Sequence, residues 1–239
     1  MKTLDMNYGY SKKRNKERYN AILPYIIDPK FSLLDFGSNY GYFSTAFALN
    51  FPESLILSIE NESMSYTTDP RFGKDGMLDF HKNKTIELGI KNNSIFLVTI
   101  TPEFFKLFIK EKIIVDYHLM LSFIHWLPMQ NREEFEEVLK DIILSARTTF
   151  LEVPQPTENQ RNGKIIMKWY DGRTNALTLI NDTIKKYELP YKAELIGSDI
   201  KYRPIARITA NNIITAPLTT ILDFMLANYN DTHLLDDVN

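Results

Sequence analysis

Short apolar runs alternate with longer amphipathic stretches along most of the chain. Such alternation is typical of βαβ units, which build a parallel sheet covered by helices. Two later runs lie on either side of a turn at Lys201-Tyr202, and they predict a closing pair of strands. The predicted strands are 32–36, 55–60, 95–100, 117–122, 149–153, 193–200 and 204–209.

Helical periodicity is readable in four places outside the predicted strands. Residues 11–27 combine an apolar stripe with basic positions and end near Pro29. Asn131 precedes a predicted helix, because acidic residues crowd the turn after it and apolar residues then recur at helical spacing. The remaining predicted helices are 175–187, which ends before Pro190, and 217–229. We therefore expect a helical leader over 1–29, a main α/β domain over 30–210, and a helical extension over 211–239.

Composition excludes several kinds of chemistry. The chain of 239 residues has a formal net charge of −2 and a pI of about 6.1, so it lacks the basic footprint of proteins held to nucleic acid by phosphate contacts. Cysteine is absent, which excludes disulfides, thiolate metal sites and cysteine nucleophiles. The four histidines lack ligand spacing, so we expect no bound metal. No apolar run approaches the roughly 18–20 residues of a membrane span, and the N-terminal residues lack the apolar region of a signal peptide. We therefore expect the protein to be cytoplasmic.

The most informative stretch follows the first predicted strand. Asp35 ends an apolar run that passes into Gly37 and Gly41 and then into a helix beginning near Ser44. Glycine at a strand end allows the chain to reverse, and Gly41 is expected to let the backbone approach a ligand. The following helix offers N–H groups and positive potential to polar ligand atoms. Glu60 ends the second predicted strand, where dinucleotide-binding folds place the acid that binds ribose hydroxyls.

These residues resemble motif I of the class I S-adenosylmethionine-dependent methyltransferases, in its DxGxxxG form. Residues 116–126 resemble motif IV of the same family, and the likeness extends over about residues 30–210. Asn39 replaces the second glycine of the commoner pattern. The resemblance implies a seven-stranded, mostly parallel Rossmann-like sheet with helices on both faces and the last strand antiparallel. It also implies S-adenosyl-L-methionine as cofactor, bound by Asp35, Gly37, Ser38, Asn39, Gly41, Glu60 and Ser122, with Tyr10 and Arg14 of the leader at its carboxylate.

His125 and Glu152 are the candidate catalytic bases. Each is expected near the carboxyl end of a strand, the edge where open α/β sheets bind ligands. An ordinary structural role is the alternative for each. The resemblance implies methyl transfer to a hydroxyl or similar nucleophile on a small molecule, sugar or lipid.

Other functions stay open at this point. The tyrosines and basic run of the leader are compatible with an RNA methyltransferase. A catalytically idle partner protein, docking through 217–229, is a third possibility, and a dinucleotide enzyme is a fourth. Trp169 and Tyr170 either line a pocket or pin their loop to the core. The neighbouring basic residues would meet an anionic group or simply be solvated: they are Arg161, Lys164, Lys168 and Arg173.

Overall fold

A computed structural model describes residues 12–61, 76–154, 168–172, 175–197 and 203–229. Its strands form one seven-stranded sheet in the order β3-β2-β1-β4-β5-β7-β6. The strands are β1 Ser32–Phe36, β2 Leu55–Glu60, β3 Asn93–Leu97, β4 Val115–Met120, β5 Ala146–Glu152, β6 Lys192–Ile196 and β7 Ile205–Thr209. The helices are α1 Lys12–Ile22, α2 Tyr42–Asn50, α3 Met77–Glu87, α4 Pro102–Lys110, α5 Arg132–Leu144, α6 Ala176–Lys186 and α7 Leu218–Asn228.

Strand direction confirms the predicted α/β class. β2 is parallel to both β1 and β3, and β4 is parallel to β5. β7 runs antiparallel to both β5 and β6. Every residue of β1 and of β4 is buried, as expected for parallel strands covered on both faces. β6, at the edge of the sheet, is mostly exposed.

The predicted strand boundaries agree with the structure for two strands and are shifted for three others. The predicted bounds of β1 and β2 are confirmed, whereas β3, β4 and β5 each begin earlier than predicted and end before the predicted last residue. In β3 the cause is visible at Asn93, a polar residue that opens the strand in register with Ile56. The Asn93 side chain is buried and accepts a hydrogen bond from Ser58 (2.7 Å). Hydropathy alone starts the strand at Ile95 and misses this pair.

The described residues group into two compact units, one within 1–99 and 217–239 and the other within 100–216. In the first unit, α1 packs on α2 through Tyr19 and Phe47, whose ring centroids lie 4.9 Å apart. The predicted helix 11–27 ends earlier, at Ile22, and a 3₁₀ turn containing Pro24 follows. Helix α7 buries the apolar side chains Ile221, Phe224 and Met225.

In the second unit, two predicted helices are confirmed, and each is capped by an asparagine side chain. The Asn131 side chain accepts from the Glu134 N–H (3.0 Å), and Asn175 caps α6 in the same way. Buried Glu136 of α5 accepts from Arg132 (2.5 Å) and from Lys186 of α6 (2.8 Å). Among the described residues no helix is long and apolar enough to cross a membrane, and no group of carboxylates and histidines is arranged to hold a metal ion.

Candidate functional site

A tight turn joins β1 to α2. Gly37 and Gly41 both lie in the left-handed region (φ 67° and 77°), and Asn39 between them has φ 54°. The N–H groups of Gly37 and Ser38 donate to the carbonyl of Ile59 in β2 (2.8 and 3.2 Å), and the Gly41 N–H donates to the Ser38 carbonyl (2.8 Å). The glycines therefore occupy positions where other residues would be strained, as the sequence predicts. Asparagine tolerates this conformation better than most residues, which explains Asn39.

Asp35 holds the start of α2 against the end of β1. Its buried carboxylate accepts from the Ser44 hydroxyl (2.6 Å) and from the Ser44 N–H (3.2 Å). Burial raises the pKa of Asp35 to about 6, against the opposing effect of these two hydrogen bonds, and the charge of Glu60 raises it further. The carboxyl group is therefore a structural brace with a titration close to neutral pH.

Glu60, at the end of β2, holds the turn from the other side. One carboxylate oxygen accepts from the Asn39 N–H (2.7 Å) and the other from the Asn61 N–H (2.8 Å). Burial raises the pKa of Glu60, and these two N–H groups oppose the rise. Each carboxylate oxygen has a second lone pair, so Glu60 retains capacity to accept from ligand hydroxyls.

Two hydroxyl groups beside this turn are buried without a hydrogen-bond partner among the described residues. They are Ser38 Oγ in the turn and Thr45 Oγ1 in the first turn of α2. Buried polar groups are almost always paired, so an unpaired hydroxyl in a glycine-rich turn indicates a missing ligand or water. The turn thus combines spare acceptors on Glu60 with the unpaired hydroxyl of Ser38, which can donate or accept. These groups suit the hydroxyl and amino groups of a nucleoside cofactor.

His81 of α3 is part of this region and was not predicted. A Cβ atom placed on Gly41 would lie 2.1 Å from His81 Cδ2 and 2.2 Å from Nε2. The close approach at Gly41 is therefore to an imidazole of the chain itself, not only to a ligand as the motif alone implies. No local spacing signals this contact, because His81 lies on a different helix from the turn.

The second unit contains a buried polar cluster at the carboxyl ends of β4 and β5. The Ser122 hydroxyl donates to Glu152 (2.9 Å) and accepts from Arg203 (3.1 Å). Glu152 is completely buried, and Ser122 has a left-handed backbone (φ 59°). Arg203 was not predicted. A signal existed, since β7 is antiparallel to β5 and pairs Ile205 with Glu152, which brings the residues before β7 to this edge.

His125 lies shortly after the end of β4. The strand ends at Met120, and His125 is in the 3₁₀ helix Ile124–Trp126. Its ring is buried and lies 5.1 Å from the ring of Trp126, which is 60% exposed. The polar cluster of Ser122, Glu152 and Arg203 and the exposed Trp126 ring therefore belong to neighbouring stretches of the second unit.

The remaining candidate residues include two aromatic residues packed in the core, two basic residues at or near the surface, and four residues that the structure does not describe. Trp169 is buried, donates to the Met129 carbonyl (3.2 Å) and stacks on Phe135 (5.0 Å between centroids). Tyr170 donates to the Pro154 carbonyl (2.7 Å), so both aromatic residues pin their segment to the core. Arg14 is half-buried on α1 and Lys168 is exposed. Tyr10, Arg161, Lys164 and Arg173 lie outside the described residues.

Comparison with known proteins finds similarity only at the level of structure. No protein-family model matches the sequence, and no curated protein matches it. Crystal structures of WbdD, a bifunctional kinase-methyltransferase, match: in the 2.2 Å structure the TM-score is 0.55 at 14% identity, over 85% of this chain and 41% of that one. The methyltransferase domain of bacterial CtHen1-C matches with a TM-score of 0.52 at 15% identity, over 82% of this chain and 98% of that one.

The chain spans about two fifths of the length of the WbdD structures and nearly the whole CtHen1-C domain. At such low identities the likeness establishes the architecture alone. It agrees with the sheet order, the antiparallel β7 and the turn between β1 and α2. The chain therefore has the fold of the class I methyltransferases.

Proposed function

We propose that this protein is an S-adenosylmethionine-dependent methyltransferase that acts on a hydroxyl or similar nucleophile of a small molecule, sugar or lipid. The observation that carries the proposal is the arrangement at the ends of β1 and β2. There a Glu60 carboxylate oxygen accepts from the Asn39 N–H and retains a lone pair for a second hydrogen bond. The unpaired hydroxyl of Ser38 belongs to the same turn. The carboxyl ends of adjacent parallel strands are where open α/β sheets bind their ligands.

In this proposal, Glu60 accepts from the ribose hydroxyls, and the turn from Gly37 to Gly41 supplies backbone polar groups and the Ser38 hydroxyl. Asp35 contributes indirectly, because its bonds to Ser44 fix where α2 begins. The cofactor carries no phosphate, so a turn with Asn39 in place of a glycine suits it better than it suits a dinucleotide.

S-adenosylmethionine supplies an electrophilic methyl group when bound. The protein then mainly has to hold the acceptor in line, a positioning effect that contributes about 7–11 kcal/mol in favourable cases. A base that takes the acceptor proton adds roughly 10²–10⁴-fold, and we propose His125 or Glu152 for that role. Glu152 already accepts from the Ser122 hydroxyl, and His125 lies beside the exposed Trp126 ring, so we propose His125 ahead of Glu152 as the group that meets the acceptor.

Net charge and exposed surface support the proposed class of acceptor. A net charge of −2 does not favour a polyanionic nucleic acid. The exposed ring of Trp126, beside His125, offers a flat apolar face of the kind that sugars and other ring compounds pack against. A small ring-containing acceptor is therefore proposed ahead of RNA.

Isothermal titration calorimetry tests the cofactor assignment directly. We expect purified protein to bind S-adenosylhomocysteine and S-adenosylmethionine with dissociation constants of about 10 μM or lower, in the lower part of the range of enzyme substrate constants. NAD⁺ is the matched comparison, because it shares the adenosine and differs in its phosphates. Heat with NAD⁺ and none with the two methionine derivatives would replace the methyltransferase proposal by a dinucleotide enzyme.

A further inference from the structure

Helix α3 packs directly on the turn that is proposed to hold the cofactor. Two consecutive residues of the turn meet two consecutive residues of the helix. The Tyr40 and Phe80 rings form an edge-to-face pair with centroids 5.5 Å apart, and Gly41 abuts the His81 ring. The imidazole therefore occupies the space that any other side chain at position 41 would need.

Buried hydrogen bonds fix the His81 ring in place. Its Nε2 lies 3.1 Å from the Asn93 side-chain amide nitrogen, and the Asn93 oxygen accepts from the Ser58 hydroxyl (2.7 Å). All three side chains are buried. An amide nitrogen can only donate, so His81 Nε2 accepts this hydrogen bond from Asn93. The chain of bonds ties α3 to β2 and β3, so the ring is a rigid surface for the turn.

We propose that His81 is a positioning residue for the cofactor, an inference that rests on the proposed function. The His81 ring packs against Gly41 and so fixes its position. The Gly41 N–H in turn donates to the Ser38 carbonyl and closes the turn. Ser38 and Asn39 lie inside that closed turn. Ser38 carries the unpaired hydroxyl, and the N–H of Asn39 donates to Glu60. Moving the ring therefore displaces the groups that meet the cofactor, although His81 itself need not touch it.

This proposal assigns a specific reason to glycine at position 41. The residue is glycine because an imidazole lies against its Cα, as well as because φ is 77°. The competing explanation is that the space beside Gly41 belongs to the cofactor and that His81 leaves when the cofactor binds. The two explanations predict opposite effects of removing the ring.

A double-mutant cycle on the unliganded protein tests the contact itself. Gly41→Ala, His81→Ala and the double variant are compared with wild type by urea unfolding. We expect Gly41→Ala to be less destabilising in the His81→Ala background, with a coupling of about tenfold in the unfolding equilibrium constant. Additive effects would overturn the contact. If His81→Ala does not fold, His81→Gln, which keeps an acceptor for Asn93, replaces it in the cycle.

Titration of the same variants with S-adenosylhomocysteine tests the positioning role. We expect His81→Ala to weaken binding about tenfold, and the double variant to bind better than Gly41→Ala. Thr85→Ala is the matched control, because Thr85 is buried one turn further along α3 and donates to the His81 carbonyl. It should lower stability and leave affinity unchanged.

Unchanged or tighter binding by His81→Ala would overturn the positioning role, and tighter binding would identify the ring as an occupant of the cofactor space. Equal losses in Thr85→Ala would also overturn it, because the effect would then be general to the helix. Wild-type protein that does not bind S-adenosylhomocysteine would instead refute the proposed function, while the unfolding cycle would still decide whether His81 determines Gly41.

Discussion

Replacing Asp35 by asparagine removes a buried charge and preserves the shape of the side chain. Burial raises the pKa of Asp35 from 3.8 to about 6 in the folded protein. The ionised form is therefore disfavoured in the folded state, and each pKa unit corresponds to about 1.4 kcal/mol. At pH 8 the charge on Asp35 lowers the free energy of unfolding by about 3 kcal/mol relative to a neutral group.

The sign of the pH dependence follows from the direction of this shift. Since the folded pKa is the higher one, the folded state gains a proton first as the pH falls. The penalty is complete above about pH 7, declines as the pH falls through the folded pKa of about 6, and vanishes only below the unfolded pKa of 3.8. We expect Asp35→Asn to raise the free energy of unfolding by about 1–3 kcal/mol at pH 8, less than the full penalty because the bonds to Ser44 are weakened. Most of this gain should be lost by about pH 4.

Urea unfolding at several pH values between 4 and 8 measures this difference. Asp79→Asn is the matched control, because Asp79 is exposed on α3 and its replacement should change stability little at any pH. Ser44→Ala should destabilise the protein more at pH 8 than at pH 4, since its hydroxyl donates to the ionised carboxylate. A uniform destabilisation of Asp35→Asn across the range would refute the reasoning, because it would show that ionisation of Asp35 carries no penalty in the folded protein.

Three further variants test other parts of the structure. Glu60→Ala should weaken S-adenosylhomocysteine binding by about 1–3 kcal/mol in calorimetry while the unfolding transition stays cooperative, because a charged acceptor is lost; unchanged affinity would show that the site is misplaced. Removing residues 1–20 should weaken cofactor binding if the leader covers the cofactor, whereas a loss of stability with normal affinity would leave it only a packing role on α2. The free energy of unfolding of His118→Phe, measured with urea, should fall less than that of wild type between pH 7 and pH 4. Burial lowers the pKa of His118 to about 3, so the unfolded state takes up the proton first as the pH falls. An equal fall in both proteins would count against this.

The apolar extension after β7 bears on the idea of a partner-binding helix. Helix α7 forms where the sequence predicts it, but Ile221, Phe224 and Met225 are buried within this chain. The apolar stripe that would dock on another protein is therefore buried inside this chain. A partner that binds residues 217–229 would have to use the opposite side of the helix, which is more polar.

Local patterns determined the elements of this protein and their order. Asp35 and Glu60 stand at the ends of β1 and β2 as predicted, because an apolar run that is buried on both faces marks its own limits. Asn131 and Asn175 likewise mark the start of α5 and α6, since a cap bonds to an N–H only three residues away. The left-handed turn is also local, because positive φ values favour the Gly37, Asn39 and Gly41 found there.

Tertiary structure alone decided which distant side chains share a site. His81 meets Gly41 because α3 packs back on the turn, and Arg203 reaches Ser122 because β7 returns antiparallel beside β5. Neither contact leaves a periodic signal in the chain, since each depends on how a later element folds back over an earlier one. Asn93 shows the same limit inside the sheet: its buried partners lie on β2 and α3, and hydropathy assigns a polar residue at that position to the loop.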